Sequence, residues 1–343
     1  MRATITDIAR EAGVSTATVD RVLNDRSGVR TRTRDRVFSA ARQVGYLADG
    51  GSPSAGMPAE PVPLDFVLQG GTNTFMGMLA GHLQAVGVAR SAEASVRVHL
   101  VDGFSPAALA DALRALAQHS RGIGIIALDH PVVREAIRDV VASRGLPVLT
   151  MVSDVAGVPT IGYVGIDNRA AGRLAGYLLG RFVPGEGPGE VALFAGSLSY
   201  RGHEEREMGF RHLLAGEFGH LRIVELREIR DDLDLSYREA KALLASRPGL
   251  GGIYNIGAGN RGIAQALEEA GRARGVVLIG HELTEHTRQL LLRGTMDAVI
   301  DQNPAAEARE AVDRLLRAAR GEPDPGPLPA RVQAIFRENI PDA

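Results

Sequence analysis

TITDIAREAGVSTATVDRVLN, residues 4–24, decides how the chain is read. Thr6 can cap a short helix in which Ile8, Ala9 and Ala12 share an apolar face. Gly13 can take the left-handed backbone that stops it. Val14 fills the corner, and Ser15 caps a second helix whose inward side is Val19, Val22 and Leu23. Two helices joined by a turn of three or four residues containing glycine make a DNA-reading unit. A third amphipathic segment, Thr31 to Tyr46, places Val37, Ala40, Ala41 and Val44 at helical spacing and completes a core that two short helices cannot close. A bundle with no nucleic-acid role would share this pattern, and charge separates the two readings. Residues 1–48 hold nine arginines against five acids, while the whole chain holds 39 basic and 41 acidic residues, so the remainder is acidic. A basic head on an acidic body is the electrostatic footprint of a DNA reader.

ITDIAREAGVSTATVDRVLN, followed by TRTRDRV and AARQVGYL, resembles the DNA-binding head of the lac-repressor family of bacterial transcription regulators, nearly without gaps over about the first 47 residues. The resemblance implies that the second helix enters the major groove. It places Thr16 and Ala17 at positions that choose the base sequence and Arg21 at a base-contacting position. Ser15, Thr18 and Asn24 match positions that touch the sugar-phosphate backbone. The chemistry agrees, since arginine can fork onto guanine, hydroxyls reach phosphate, and a methyl can meet a thymine methyl. Asp20 departs from the family's usual serine. An acid there repels phosphate, and pairing with Arg21 or Arg36 is its alternative role.

Length suits two or three domains. Apolar content of 45% with 23% charged residues is that of a soluble globular protein. The absence of cysteine excludes disulfides, thiolate metal sites and cysteine nucleophiles. No apolar run approaches membrane-spanning length and none of signal-peptide length stands at the start, so a cytoplasmic location without membrane attachment is expected. Aromatics at 4% and no tryptophan argue against stacking on single strands.

The head is read as residues 1–48 and DGGSPSAGMPAEPVP, residues 49–63, as a flexible or polyproline-like linker. In the resembling family this region carries a hinge helix whose leucine wedges into the minor groove. No leucine lies between Leu47 and Leu64, and four prolines interrupt the stretch, so that device is expected to be missing or altered. From Leu64 to residue 343, apolar runs (LDFVLQG, ASVRVHLV, GIGIIAL, LPVLTMV, TIGYVGI, EVALFAG, LRIVELR, GGIYNIG, VVLIG, MDAVID) alternate with amphipathic segments. That alternation predicts parallel sheets covered on both sides, and about ten units exceed one sheet. The predicted class is a small all-α head on a two-lobed α/β body, with ligand between the lobes at the strands' C-terminal ends. Over roughly residues 62–340 the body resembles the type I periplasmic sugar-binding-protein fold, which the same family carries as its sensor. The resemblance implies three crossings between lobes, placed near GIDN (165–168), DQNP (301–304) and EPDPGPLP (322–329). Lobe 1 is then about 64–165 and 303–325, and lobe 2 about 166–302 and 326–343.

REMGF, residues 206–210, matches the family motif in which an arginine three residues before glycine clamps sugar hydroxyls, so Arg206 is the leading ligand contact. Its fork of donors suits vicinal oxygens or a carboxylate, the alternative being a surface arginine paired with a neighbouring Glu. Glu282 sits where that fold has an aspartate accepting from hydroxyls, and Gln302 matches a hinge-side polar contact. Asn73 and Phe75 follow the first strand, where the fold places an amide and an aromatic. Asn255 and Asn260 lie on or beside the loop after GGIYNI. Loop capping is the alternative for each of these, and a helix cap is the expected role of Asp129.

GAGNRG, residues 257–262, fits a dinucleotide fingerprint with Glu282 twenty residues on, but no base for hydride chemistry accompanies it. HELTEH, residues 281–286, spaces its histidines by five, too far around a helix to share one metal. GSLSY lacks the second glycine of a nucleophile elbow. The expectation is a ligand-responsive transcription regulator, a repressor, without metal, cofactor or catalytic set. It would bind a pseudo-palindromic operator in double-stranded DNA as a homodimer and sense a sugar or polyol. The alternative is a nucleotide-binding protein or enzyme with a fused DNA-binding head, and the chemistry of the cleft discriminates them.

Overall fold

The computed structural model describes residues 4–23, 29–44, 46, 60–101, 104–185, 187–324, 326 and 332–341, which fall into two compact units divided between Ala59 and Glu60. The first contains α1 (Ile5–Ala12), α2 (Thr16–Leu23) and α3 (Thr31–Gln43). Ile8, Ala9 and Ala12, then Val19 and Val22, then Val37, Ala40 and Ala41 close one core, with Val14, Leu23 and Val44 packed against it. Gly13 ends α1 in the left-handed region at φ 60°.

The start of α1 corrects the sequence reading: Thr4, not Thr6, is the N-cap. Asp7 accepts from the Thr4 N–H at 2.9 Å and from its hydroxyl at 2.6 Å, a clasp that an acid at the third helical position can reach. Thr6 already lies inside the first turn. Ser15 Oγ accepts from the Thr18 N–H at 3.2 Å and so caps α2. Asn24 and the linker up to Ala59, with the hinge expectation attached to it, lie outside the described residues.

The second unit holds two sheets. The first has β1 (Val62–Gln69), β2 (Ala94–Val101), β3 (Gly122–Ile125), β4 (Val148–Met151) and β5 (Tyr163–Val164), in the order β2-β1-β3-β4-β5, all parallel. α4 (Thr74–Ala89), α5 (Pro106–Leu116) and α6 (Pro131–Arg144) connect them. The strands read as continuous apolar runs because both faces are covered. Gly124 exists for that cover: a Cβ there would lie 2.4 Å from the Phe66 ring.

The second sheet has β6 (Gly189–Ala195), β7 (Leu221–Glu228), β8 (Leu250–Asn255), β9 (Val277–His281), β10 (Ala298–Asp301) and β11 (Gln333–Ile335). Its order is β11-β10-β9-β8-β6-β7, parallel except for the β10–β11 pair. Here α7 (Asn168–Phe182), α8 (Arg201–Glu217), α9 (Leu233–Ser246), α10 (Asn260–Glu269) and α11 (Glu285–Arg293) supply the cover. After β10 the chain returns to the first sheet as α12 (Pro304–Ala319), whose Ala308, Val312 and Leu315 enter that lobe's core, before β11 rejoins the second. The body is thus two parallel α/β lobes, the class that the strand–helix alternation predicts. The crossings run from β5 to α7, from β10 to α12 and from α12 to β11, the last only partly within the described residues.

Candidate functional site

In the head, the outer face of α2 is the candidate nucleic-acid interface. Val19 and Val22 turn inward, leaving Thr16, Ala17 and Arg21 exposed beside the cap residue Ser15. The Ser15 and Thr18 hydroxyls lie 2.9 Å apart. A short helix with small residues at its N-terminal end and an arginine one turn on offers what a major groove can accept.

In the body, the two lobes enclose a cavity of about 140 Å³. It lies at the C-terminal ends of the strands, where successive loops from both sheets converge. Thr72 and Asn73 follow β1, Asp231 follows β7, Gly257 to Asn260 follow β8, Glu282 follows β9 and Gln302 follows β10. The lobes are bridged across it. Asn73 Nδ2 donates to Asp231 Oδ2 at 3.0 Å, Thr72 Oγ1 to the Asp231 carbonyl at 3.1 Å, and the Gly202 N–H to Ser153 Oγ at 3.2 Å.

Arg206 anchors the wall. It is 3% exposed, its Nε donates to Asn168 Oδ1 at 2.7 Å and its Nη1 to the Ile256 carbonyl at 2.9 Å. Nη2 has no partner among the described residues, so the surface-arginine alternative does not describe it. Glu282 stands in the left-handed region at φ 69°, and its Oε1 accepts from Gln302 Nε2. Around the cavity Tyr200 Oη, His281 Nδ1, Glu282 Oε2 and Gln302 Oε1 are buried and without partners among the described residues. Buried polar atoms are nearly always paired, and four orphans on one cavity wall mark where a ligand's polar groups belong.

Burial, reinforced by the Arg206 charge, holds His203 at about 3 and His281 well below the usual histidine range, so both are neutral. His281 Nε2 lies 2.8 Å from Tyr254 Oη, and His203 Nδ1 lies against the Ser197 backbone. Burial pushes the Glu282 carboxyl up to about 8, with Arg206 pulling the other way. A carboxyl that binds its proton more tightly when folded loses the protein stability as pH rises from the ordinary Glu range through about 8, and the loss levels off above that. Glu282→Gln should flatten part of that decline in melting temperature. Glu307 and Asp231, raised by burial in the same way, keep the remainder. An unchanged pH slope in the variant would remove Glu282 as a source.

The structure brings Asn73, Phe75, Arg206, Glu282, Gln302 and Asn260 to the cavity. Asn73 also caps α4, accepting from the Phe75 N–H at 3.0 Å. Asn255 does not reach it. Fully buried, it spends Nδ2 on the Gly257 and Ala258 carbonyls and on Asn260 Oδ1, shaping the loop from behind. Asp129 is not a helix cap; His130 caps α6, and Asp129 pairs with Arg134. The GAGNRG glycines answer to packing. A Cβ on Gly257 would meet Asp231 Oδ1 at 2.7 Å, and one on Gly262 would meet Ser236 Oγ at 2.2 Å. HELTEH spans the end of β9 and the start of α11, so its histidines do not share a helix. Asp231, Asn168 and His203 were not singled out from sequence. An acid just past a strand end was Asp231's only signal.

A family model of the periplasmic binding protein domain matches residues 66–323, and one of the lacI family of bacterial regulatory proteins matches residues 4–49. Over 171 residues the chain is 29% identical to the D-ribose/D-allose-binding protein of Pseudomonas aeruginosa, covering 48% of this chain and 50% of that protein. Over 45 residues it is 56% identical to the HTH-type transcriptional regulator TreR of Salmonella typhimurium, 13% of this chain and 14% of that one. The chain therefore spans half or less of these relatives. Among solved structures, GanP, a glucose-galactose binding protein from Geobacillus stearothermophilus, superposes with a TM-score of 0.73 at 22% identity over 82% of this chain and 99% of that chain. A solute-binding protein from Burkholderia graminis in complex with D-arabinose gives 0.75 at 21% over 82% and 98%.

Proposed function

Because the chain belongs to the periplasmic binding protein domain family over residues 66–323 and carries over residues 4–49 a head matching the lacI family, we propose that it is a sugar- or polyol-responsive transcription regulator. The observation that carries the sensor reading is the ring of unpartnered polar atoms around Arg206. It is a cavity walled by donors and acceptors with neutral histidines, suited to hydroxyl groups. Effector closes on Asn73, Phe75, Arg206, Glu282 and Gln302 and stabilises one arrangement of the lobes, which sets the operator affinity of the heads in a homodimer. The sensor acts in the cytoplasm as a repressor and without catalysis. The relatives' own names as regulators and sugar-binding proteins support that class over an enzyme with a fused head. Among the described residues no helix is long and apolar enough to cross a membrane, and no group of His, Cys, Asp or Glu is set to hold a metal.

The test is a thermal-shift screen of sugars and polyols on the full chain, followed by mobility shifts on its promoter region with each hit. A ligand at about 100 times its Kd adds about 2.7 kcal/mol of stability, well within reach of the method. DNA reading by α2 is tested separately. Arg21→Ala should cost about 1–3 kcal/mol of specific binding and relax preference at one base pair per half-site. Equal weakening on operator and random DNA would make Arg21 a phosphate contact instead.

A further inference from the structure

Asp231 and Glu282 line the cavity opposite Arg206 and Arg261, and the wall that Glu282 shares with Gln302 is backed by further acid. On the wall built where β9 and β10 end, Glu282 and Gln302 are 9% and 3% exposed, and Gln302 turns its amide N–H toward Glu282 Oε1. What remains for a ligand is Glu282 Oε2 and Gln302 Oε1, two buried oxygens without a partner among the described residues, the first an acceptor once Glu282 gives up its proton. Behind that wall Glu307, 3% exposed on α12, has both carboxyl oxygens unpartnered among the described residues and lies near enough for its charge to repel that of Glu282. Asp301, at the end of β10, adds a further acid, though its oxygens accept from the Leu283 and Asn303 N–H groups. Facing these from α8 are Arg206, which makes no ion pair with Glu282, and the neutral His203; His281 on β9 is neutral too.

A hydroxyl brings one donor and no charge, so it can bond one of these two oxygens but does nothing to offset the acid charge there. An ammonium group brings three donors and a positive charge to the same place. Building on the sugar-sensor reading, we propose that the effector is a cationic polyhydroxy amine, an amino sugar or aminopolyol, whose ammonium group rests on Glu282 Oε2 and Gln302 Oε1. Its hydroxyls meet Arg206 Nη2 and His281 Nδ1. In the empty cavity burial holds the proton on Glu282, with a carboxyl at about 8. Docking an ammonium favours the carboxylate over the acid, so binding at neutral pH is expected to release protons.

The experiment is calorimetry on the full chain with matched sets of glucosamine, galactosamine and mannosamine, their parent hexoses and their N-acetyl forms, in buffers of different ionisation enthalpy. The expected result is one amine bound at least tenfold more tightly than its parent, with proton release. The preference should vanish on N-acetylation, and both preference and release should vanish in Glu282→Gln. A parent hexose bound as tightly as its amine, or amine binding without proton release, overturns the amine assignment and leaves the sugar-sensor reading standing. Silence from every amine, parent and N-acetyl form, and from the wider polyol screen, overturns the sensor reading itself.

Discussion

Arg206→Ala should lower effector affinity at least 100-fold, about 2.7 kcal/mol, and with it abolish the effector's influence on operator binding. Nη2 is a strong donor on the cavity wall without a partner among the described residues, while Nε and Nη1 lock the guanidinium onto Asn168 and the Ile256 carbonyl. That lock fixes the fork in place before ligand arrives, so little ordering cost is paid on binding. Truncation also leaves Asn168 Oδ1 and a buried carbonyl unpaired, which should cost the body about 1–3 kcal/mol of stability. Operator binding without effector should survive, because the head closes its own core on Ile8, Val19 and Val37. Calorimetry with any ligand found in the screen, beside mobility shifts with and without it, reads both effects. Unchanged ligand affinity would take Arg206 out of the site.

How much of this was legible in the sequence depends on how local each cause is. The helix-turn-helix announces itself within twenty-one residues through Gly13, Ser15 and the spacing of Ile8, Ala12, Val19 and Val22. Strand–helix alternation likewise gave the two-lobed class, because parallel strands covered on both faces read as apolar runs. The cap of α1 was misplaced by two residues, since Thr4 and Thr6 are equally good caps and only Asp7, reaching back to Thr4, breaks the tie. Glu282 and Gln302 are legible through the resemblance to the sugar-binding fold, which places polar residues at those points. Asp231, also just past a strand end, has no such match. It gains its partners from Asn73, 158 positions away, and from the Ala258 N–H. It also stands in left-handed backbone beside Arg230, at φ 54° and 52°, with no glycine to advertise the turn. Asn168 was visible only as part of a crossing motif; that it orients the key arginine needs the packing of α7 on α8.

That packing supports the last expectation. Gly172→Ala should destabilise the body by about 2–4 kcal/mol and weaken effector binding in the molecules that remain folded. A Cβ on Gly172 would fall 1.9 Å from the carbonyl oxygen of Arg206, and one on Gly209 would fall 2.1 Å from that of Arg169. The two helices therefore meet backbone to backbone through glycines on both sides, and no side chain stands between them to yield. A methyl group must push α8 away from α7 and carry Arg206 with it. The Nε bond to Asn168, on α7, is then stretched by the same displacement. Gly216→Ala, in the last turn of α8, is the control, since nothing lies within 4 Å of its would-be Cβ. Relief of glycine's backbone entropy should make that variant up to about 1 kcal/mol more stable. Opposite signs from the same substitution on one helix would tie the Gly172 loss to the crossing rather than to helix propensity. Equal melting temperatures for Gly172→Ala and the unaltered protein would mean that α7 and α8 do not approach this closely, and the placement of Arg206 would fall with them.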